Sequence, residues 1–100
     1  MTKEKPYLNP KLTLAELAQS LSIPTNHLSQ IINQYEQINF HDFVNSYRVE
    51  EFIQNVQNDK GFSLLGHAFD SGFNSKSTFN AAFKKCKSVT PSQYIAGLKV

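Results

Sequence analysis

His67, Asp70 and Ser71 carry the side-chain types of a general base, its orienting acid and a nucleophile. Their spacing of i, i+3 and i+4 defeats that use, because on a helix the three side chains emerge side by side, with no alignment about a substrate and no oxyanion site implied. His27, His41, His67 and Cys86 lack the short paired spacings of a metal site, and no glycine-rich loop follows a strand to cradle a phosphate. The residues therefore point to no enzyme, no metal and no cofactor. The charges say more. Residues 1–59 hold four basic and seven acidic groups (−3), whereas residues 60–100 hold six basic and one acidic (+5), within a net charge of only +2. A polyanion met by the C-terminal part gives that asymmetry; a solvated lysine face gives the same count.

The elements that must position any such contact are helical. Apolar residues recur at i, i+3, i+4 and i+7 in Leu14, Leu17, Ala18, Leu21; in Leu28, Ile31, Ile32, Tyr35; in Phe40, Phe43, Val44, Tyr47; and in Phe79, Ala82, Phe83, Cys86. No segment alternates as a strand does. Val49, Phe52, Ile53 and Val56 prolong the third stripe, which predicts one helix over 40–57, about 27 Å long at about 1.5 Å per residue. Helix starts are marked by Thr13 with Glu16, Asn39 with Asp42, and Thr90 with Gln93, the last reinforced by Pro91 at the first helical position. Ser63 and Ser75 suit two further caps, and Gly72 stands where a helix ending near Ser71 needs a left-handed residue. The expectation is an all-α fold of about seven helices, short ones around one long one, in a single domain of 100 residues of which 40% are apolar.

The lone cysteine, Cys86, cannot close an intramolecular disulfide, which fits a reducing cytoplasm. No apolar run reaches the length needed to cross a bilayer, and the N-terminus lacks the apolar stretch of a signal peptide. A soluble, cytoplasmic protein without membrane contact is expected.

Two stretches correspond. Ala18, Ser22 and Ile23 match Ala68, Gly72 and Phe73 at an offset of fifty, and Leu28, Ile31 and Ile32 match Phe79, Ala82 and Phe83 at fifty-one. A one-residue insertion in the turn reconciles them. Each stretch reads as a short helix, a tight turn with one buried apolar residue, and a second helix, the grammar of a helix-turn-helix; two unrelated amphipathic hairpins would show a similar pattern.

The run from Gly72-Phe73-Asn74-Ser75-Lys76-Ser77-Thr78-Phe79-Asn80-Ala81-Ala82-Phe83-Lys84-Lys85 to Val89-Thr90-Pro91-Ser92-Gln93-Tyr94 closely resembles the C-terminal signature of AraC/XylS-type transcription regulators. The resemblance continues through Asn39-Phe40, Asn45-Ser46-Tyr47-Arg48-Val49-Glu50-Glu51 and Leu14-Ala15-Glu16-Leu17-Ala18, so it covers about Leu12 to Tyr94. It implies two helix-turn-helix units flanking a linker helix over residues 12–100, preceded by an N-terminal lead-in over residues 1–11. It also implies double-stranded DNA as partner, with the two second helices entering successive major grooves about 34 Å apart.

On the first such helix, expected from about Thr25 to Asn33, Leu28, Ile31 and Ile32 face the core and leave Asn26, Ser29, Gln30 and Asn33 as base or phosphate contacts. Asn and Gln bond adenine bidentately and Ser bonds almost any edge. On the second, Phe79, Ala82, Phe83 and Cys86 point inward, and the resemblance puts Lys76, Ser77, Asn80 and Ala81 at base-contacting positions. Lys84 and Lys85 suit phosphate, as does Lys87, for which plain solvation is the rival. Arg48 is the only arginine, and its position fits a structural or phosphate role equally with an ion pair to Glu51 three residues on.

The chain departs from the family pattern at four positions. Ala81 stands where many relatives carry a longer polar or basic side chain, and offers only an apolar contact, such as to a thymine methyl. Ser88 replaces a glycine that closes the second recognition helix, so the turn must accommodate a side chain. His67 replaces an aliphatic residue. Ile95 replaces a basic one and removes a phosphate contact. The resemblance further implies the output domain of a larger sensor regulator, dimeric through a region outside this chain and able to contact RNA polymerase. A helical protein–protein interaction module that binds no DNA is the alternative, since fold does not fix function.

Overall fold

Thr13 and Glu16 bond reciprocally: the Thr13 hydroxyl accepts from the Glu16 N–H at 3.1 Å and the Glu16 carboxylate accepts from the Thr13 N–H at 3.1 Å. This capping box starts helix α1 (Leu14–Ser20). The structure, a computed structural model, describes residues 5–36, 39–58 and 64–98. A 3-10 turn (Pro6–Leu8) precedes α1, and α2 (Thr25–Ile31) follows it. Helix α3 (Phe40–Asn58) opens with the Asn39 side chain accepting from the Asp42 N–H at 2.8 Å. Then come α4 (Leu64–Asp70), α5 (Lys76–Lys87) capped by Ser75, and α6 (Pro91–Leu98), at whose start Thr90 and Gln93 form a second capping box. The described residues are all helix and turn, with six α-helices. The cap expected at Ser63 lies outside them.

The two turns repeat bond for bond. After α1, the Ile23 N–H reaches the Ala18 carbonyl at 3.1 Å and the Ser22 N–H reaches the Gln19 carbonyl at 3.1 Å; after α4, Phe73 reaches Ala68 at 3.2 Å and Gly72 reaches Phe69 at 3.1 Å. Both are Schellman endings, and the residue each requires in the left-handed region is Ser22 (φ 59°) in one and Gly72 (φ 104°) in the other. The correspondence seen in the sequence is therefore one of backbone geometry, and each unit is a helix-turn-helix.

One end of the long helix serves each unit. Leu17, Ala18, Leu28 and Ile32 pack with Leu12, Leu14 and Ile23 against Phe40 and Phe43, early in α3. Phe79, Ala82, Phe83, Ala68 and Phe73 pack against Val49, Phe52, Ile53 and Val56, in its later half. Phe52 is fully buried, its ring 4.7 Å from that of Phe79 and 5.7 Å from that of Phe83. The result is elongated, 44 × 23 × 22 Å, with the units spaced along α3.

Two boundaries differ from expectation. Helix α3 has 19 residues and ends at Asn58. The first recognition helix was expected as one α-helix to Asn33, but its α-helical part ends at Ile31 and it continues as a π-helix over Ile32–Glu36. The β-branched pair Ile31-Ile32, weak in helix propensity, stands at the switch. No described helix is long and apolar enough to cross a membrane.

Candidate nucleic-acid interface

Helix α2 turns Leu28 and the following Ile32 into the core and leaves Asn26 and Gln30 exposed, with Ser29 half-buried. Asn33 is exposed but sits in the π-helical continuation, off the stripe that an unbroken α-helix would give it. From Thr25 to Ile31 there is no Lys, Arg, Asp or Glu. Asn26, Ser29 and Gln30 offer an outside partner amide and hydroxyl groups.

Helix α5 buries Phe79, Ala82 and Phe83 and exposes Lys76, Ser77, Asn80, Ala81, Lys84 and Lys85. Ser75 accepts from the Thr78 N–H at 3.1 Å, so the helix begins cleanly with Lys76 and Ser77 in its first turn. Cys86 was expected in the core; it is exposed, lining a groove of about 430 Å³ between α5 and α3 with Phe43, Ser46, Tyr47, Glu50 and Lys87. Desolvation there pushes its thiol pKa up. The aromatic core is extended at this end by Tyr94, whose ring meets that of Phe83 at 5.4 Å.

The lysines of α5 are not equivalent. Lys85 bonds Asp42 on α3 at 2.5 Å and Lys87 bonds Glu50 at 2.6 Å, a contact that raises the Lys87 pKa. Lys76 and Lys84 are exposed, and neither forms an ion pair with a described residue. The positive charge left to an outside partner therefore lies on the outer face and first turn of the helix. Pairings across 43 and 37 residues leave no mark in local spacing; Asp42 in particular reads as a capping partner of Asn39, while its carboxylate is turned to Lys85.

Arg48 takes the structural role of those its position fits, and is not paired with Glu51. Its Nε donates to the Tyr7 carbonyl at 2.7 Å, Nη2 to the Asn9 carbonyl at 2.9 Å and Nη1 to Asn45 Oδ1 at 2.9 Å, with the residue 8% exposed and its pKa lowered by desolvation. Glu51 instead accepts from the Tyr7 hydroxyl at 3.1 Å and pairs with Lys5 at 3.0 Å. Burial first, then the bond and charge of Glu51, push the Tyr7 pKa up to about 12. The available sequence signal was the place of Arg48 one turn after Val44 and beside Val49, on the inward flank of α3.

Elsewhere the chemistry is structural. The Ser71 hydroxyl donates to the His67 carbonyl at 2.8 Å and accepts from Asn55 at 3.3 Å, while Asp70 is exposed, so the three residues with triad chemistry form no triad. His67 itself is buried. Among the described residues no three His, Cys, Asp or Glu side chains are grouped to hold a metal.

Two bond-matched helix-turn-helix units on one linker helix, each showing an outward polar face on its second helix, define a double helix-turn-helix domain of the AraC/XylS type. Residues 17–97 match the model of a helix-turn-helix domain family, and the chain belongs to that family. It is 28% identical over 89 residues to an HTH-type transcriptional regulator of Staphylococcus aureus (strain COL), a match that takes in 88% of this chain and 12% of that protein's length. Among solved structures it is similar to the C-terminal domain of AraT, a response regulator from Geobacillus stearothermophilus (28% identity, TM-score 0.73, 90% of this chain and 74% of that one). It is likewise similar to the C-terminal domain of the two-component response regulator yesN from Fusobacterium nucleatum (26%, TM-score 0.72, 91% and 87%). A DNA-binding transcriptional dual regulator from Escherichia coli K-12 also matches (25%, TM-score 0.70, 84% and 79%).

Proposed function

We propose that this chain binds double-stranded DNA sequence-specifically to regulate transcription, with α2 and α5 in successive major grooves on one face of the duplex. The observation that carries the reading is the repeated turn: the same Schellman geometry launches α2 and α5, and each presents exposed amide and hydroxyl side chains away from its core. On α2 the readers are Asn26, Ser29, Gln30 and Asn33; on α5 they are Lys76, Ser77, Asn80 and Ala81, with Lys84 toward phosphate and Lys85 able to join it only in competition with Asp42. Tandem units in one chain call for directly repeated contact zones, in contrast to the palindrome read by a symmetric dimer.

The S. aureus relative is far longer than this chain, which supports an output domain within a larger sensor regulator, and reading DNA places its action in the cytoplasm. Dimerisation through such a region, raising occupancy by effective concentration, and contact with RNA polymerase belong to the same proposal. Selection of bound sites from a random duplex library, followed by titration at two salt concentrations, tests it. A preferred sequence whose affinity falls as salt rises is expected. No enrichment and no binding at low salt would leave the protein-interaction module as the better account.

A further inference from the structure

The segment before the first unit is fastened to the second. Gly72, the left-handed residue of the second turn, has no room for a side chain: a Cβ there would lie 2.2 Å from the Tyr7 carbonyl oxygen, 2.9 Å from Arg48 Nε and 3.1 Å from the Leu8 Cα. Residues 5–9 thus run across the turn that launches α5, pressed between it and the middle of α3. Arg48 holds them there, its fork spanning two carbonyls two residues apart while Nη1 is steadied by Asn45 on its own helix. Tyr7 adds a buried ring stacked on Tyr47 at 5.6 Å and a hydroxyl bonded to Glu51. Among the described residues the cluster meets the first unit more lightly, through the edge contact of Tyr47 with Phe43 at 5.3 Å and through the Asn9 carbonyl, which also accepts from the N–H of Leu12 at 3.1 Å. Directly after Gly72 come Phe73, buried against Phe79 with ring centroids 5.3 Å apart, and the cap at Ser75.

We propose that Arg48 is a positioning residue for the second DNA-reading helix: by clamping the carbonyls of Tyr7 and Asn9 over Gly72, it fixes how α5 projects from α3. This rests on the DNA-binding reading for its functional consequence, not for its geometry. A lysine at 48 keeps the charge but presents a single nitrogen, which cannot span both carbonyls. The lead-in then loosens from the Gly72 turn, and the freedom gained belongs to α5 and not to α2.

The test compares the full chain with its Arg48→Lys and Tyr7→Ala variants in two measurements. Amide hydrogen exchange, without DNA, is expected to quicken over Phe73–Lys85 and to stay unchanged over Leu17–Ile31. Affinity is then measured for the duplex selected by the wild-type chain and for a version scrambled in the α5 zone. The wild-type preference for the intact duplex is expected to shrink by about tenfold in each variant, the loss of a buried charged hydrogen bond, while binding to the scrambled version is kept. A purely structural Arg48 would weaken both duplexes alike and quicken exchange in both units, and that result overturns the proposal, as does an unchanged exchange pattern. Selective exchange in variants of a wild-type chain that binds no duplex would uphold the positioning role and remove the DNA-binding reading alone.

Discussion

Lys85 of α5 lies 2.5 Å from Asp42 of α3, so one of the cations on the second recognition helix is already engaged by a carboxylate of the linker helix. Lys84, its neighbour in sequence, has no such partner among the described residues. An exposed pair of this kind stabilises the fold by only about 0–1 kcal/mol, but it competes with phosphate for the same nitrogen. Lys84→Ala is therefore expected to cost more DNA affinity than Lys85→Ala. Asp42→Asn should release Lys85, tighten binding to all sequences and steepen the slope of log affinity against log salt by about 0.9 if one phosphate is gained. Equal losses from the two lysines, or an Asp42→Asn variant that binds more weakly with the same slope, would show that the pair does not compete.

Asn80 and Lys76 lie one turn apart on α5, nearest the Ser75 cap, and Lys84 one turn further on. The first two are expected to choose the sequence and Lys84 to hold the backbone. Replacing Asn80 or Lys76 with alanine should reduce discrimination against single-base variants by about 1–3 kcal/mol at one position each, whereas Lys84→Ala should weaken all sequences alike and flatten the salt slope by about one unit. Relaxed base preference after Lys84→Ala, with uniform losses after the other two, would mean that α5 is oriented differently in the groove.

Ser88 closes α5 in the left-handed region, φ 65° and ψ 8°, with its N–H bonded to the Lys84 carbonyl at 2.8 Å. The turn accommodates the side chain that the family pattern replaces with glycine, at a conformational cost that glycine avoids. Ser88→Gly is expected to raise stability by about 0.5–1 kcal/mol in a denaturant titration, less the extra chain entropy that glycine loses on folding. A fall in stability would contradict the strain.

Phe52 joins the linker helix to α5 through Phe79 and Phe83. Phe52→Ala is expected to cost about 3–5 kcal/mol, and the midpoint of chemical unfolding reads it. A cost below about 1 kcal/mol would mean that the second unit is not built on this ring.

The raised Tyr7 pKa gives a pH signature. A phenol that ionises at about 12 when folded and about 10 when unfolded contributes stability that is complete below pH 10 and lost as pH rises toward 12, because over that window the folded state holds the proton more tightly. Tyr7→Phe, which has no proton to lose, should flatten this part of the stability curve. An identical alkaline decline in the variant would place its cause elsewhere.

What the sequence disclosed was what is local. Thr13 with Glu16, and Thr90 with Gln93, bond three residues apart, so their spacing alone named the helix starts. The equivalence of Ser22 and Gly72 was legible because a turn geometry constrains the few residues that make it. The partners of Arg48 and Asp42 were opaque for the opposite reason. Tyr7, Asn9 and Lys85 lie 41, 39 and 43 residues away, and Arg48 and Asp42 each have a plausible local partner that they do not use: Glu51 for Arg48, and the Asn39 cap for the Asp42 carboxylate. The inward stripe of α5 failed only at Cys86, where the periodicity continues but the burial does not.

The central claim is that α2 and α5 read one face of the duplex together, held in fixed register by α3. It is tested by inserting about 5 base pairs, half a helical turn, between the two zones of the selected site, which moves one zone to the opposite face. Affinity is predicted to fall to that of a duplex carrying a single intact zone. Affinity unchanged by the insertion would contradict simultaneous reading by the two helices.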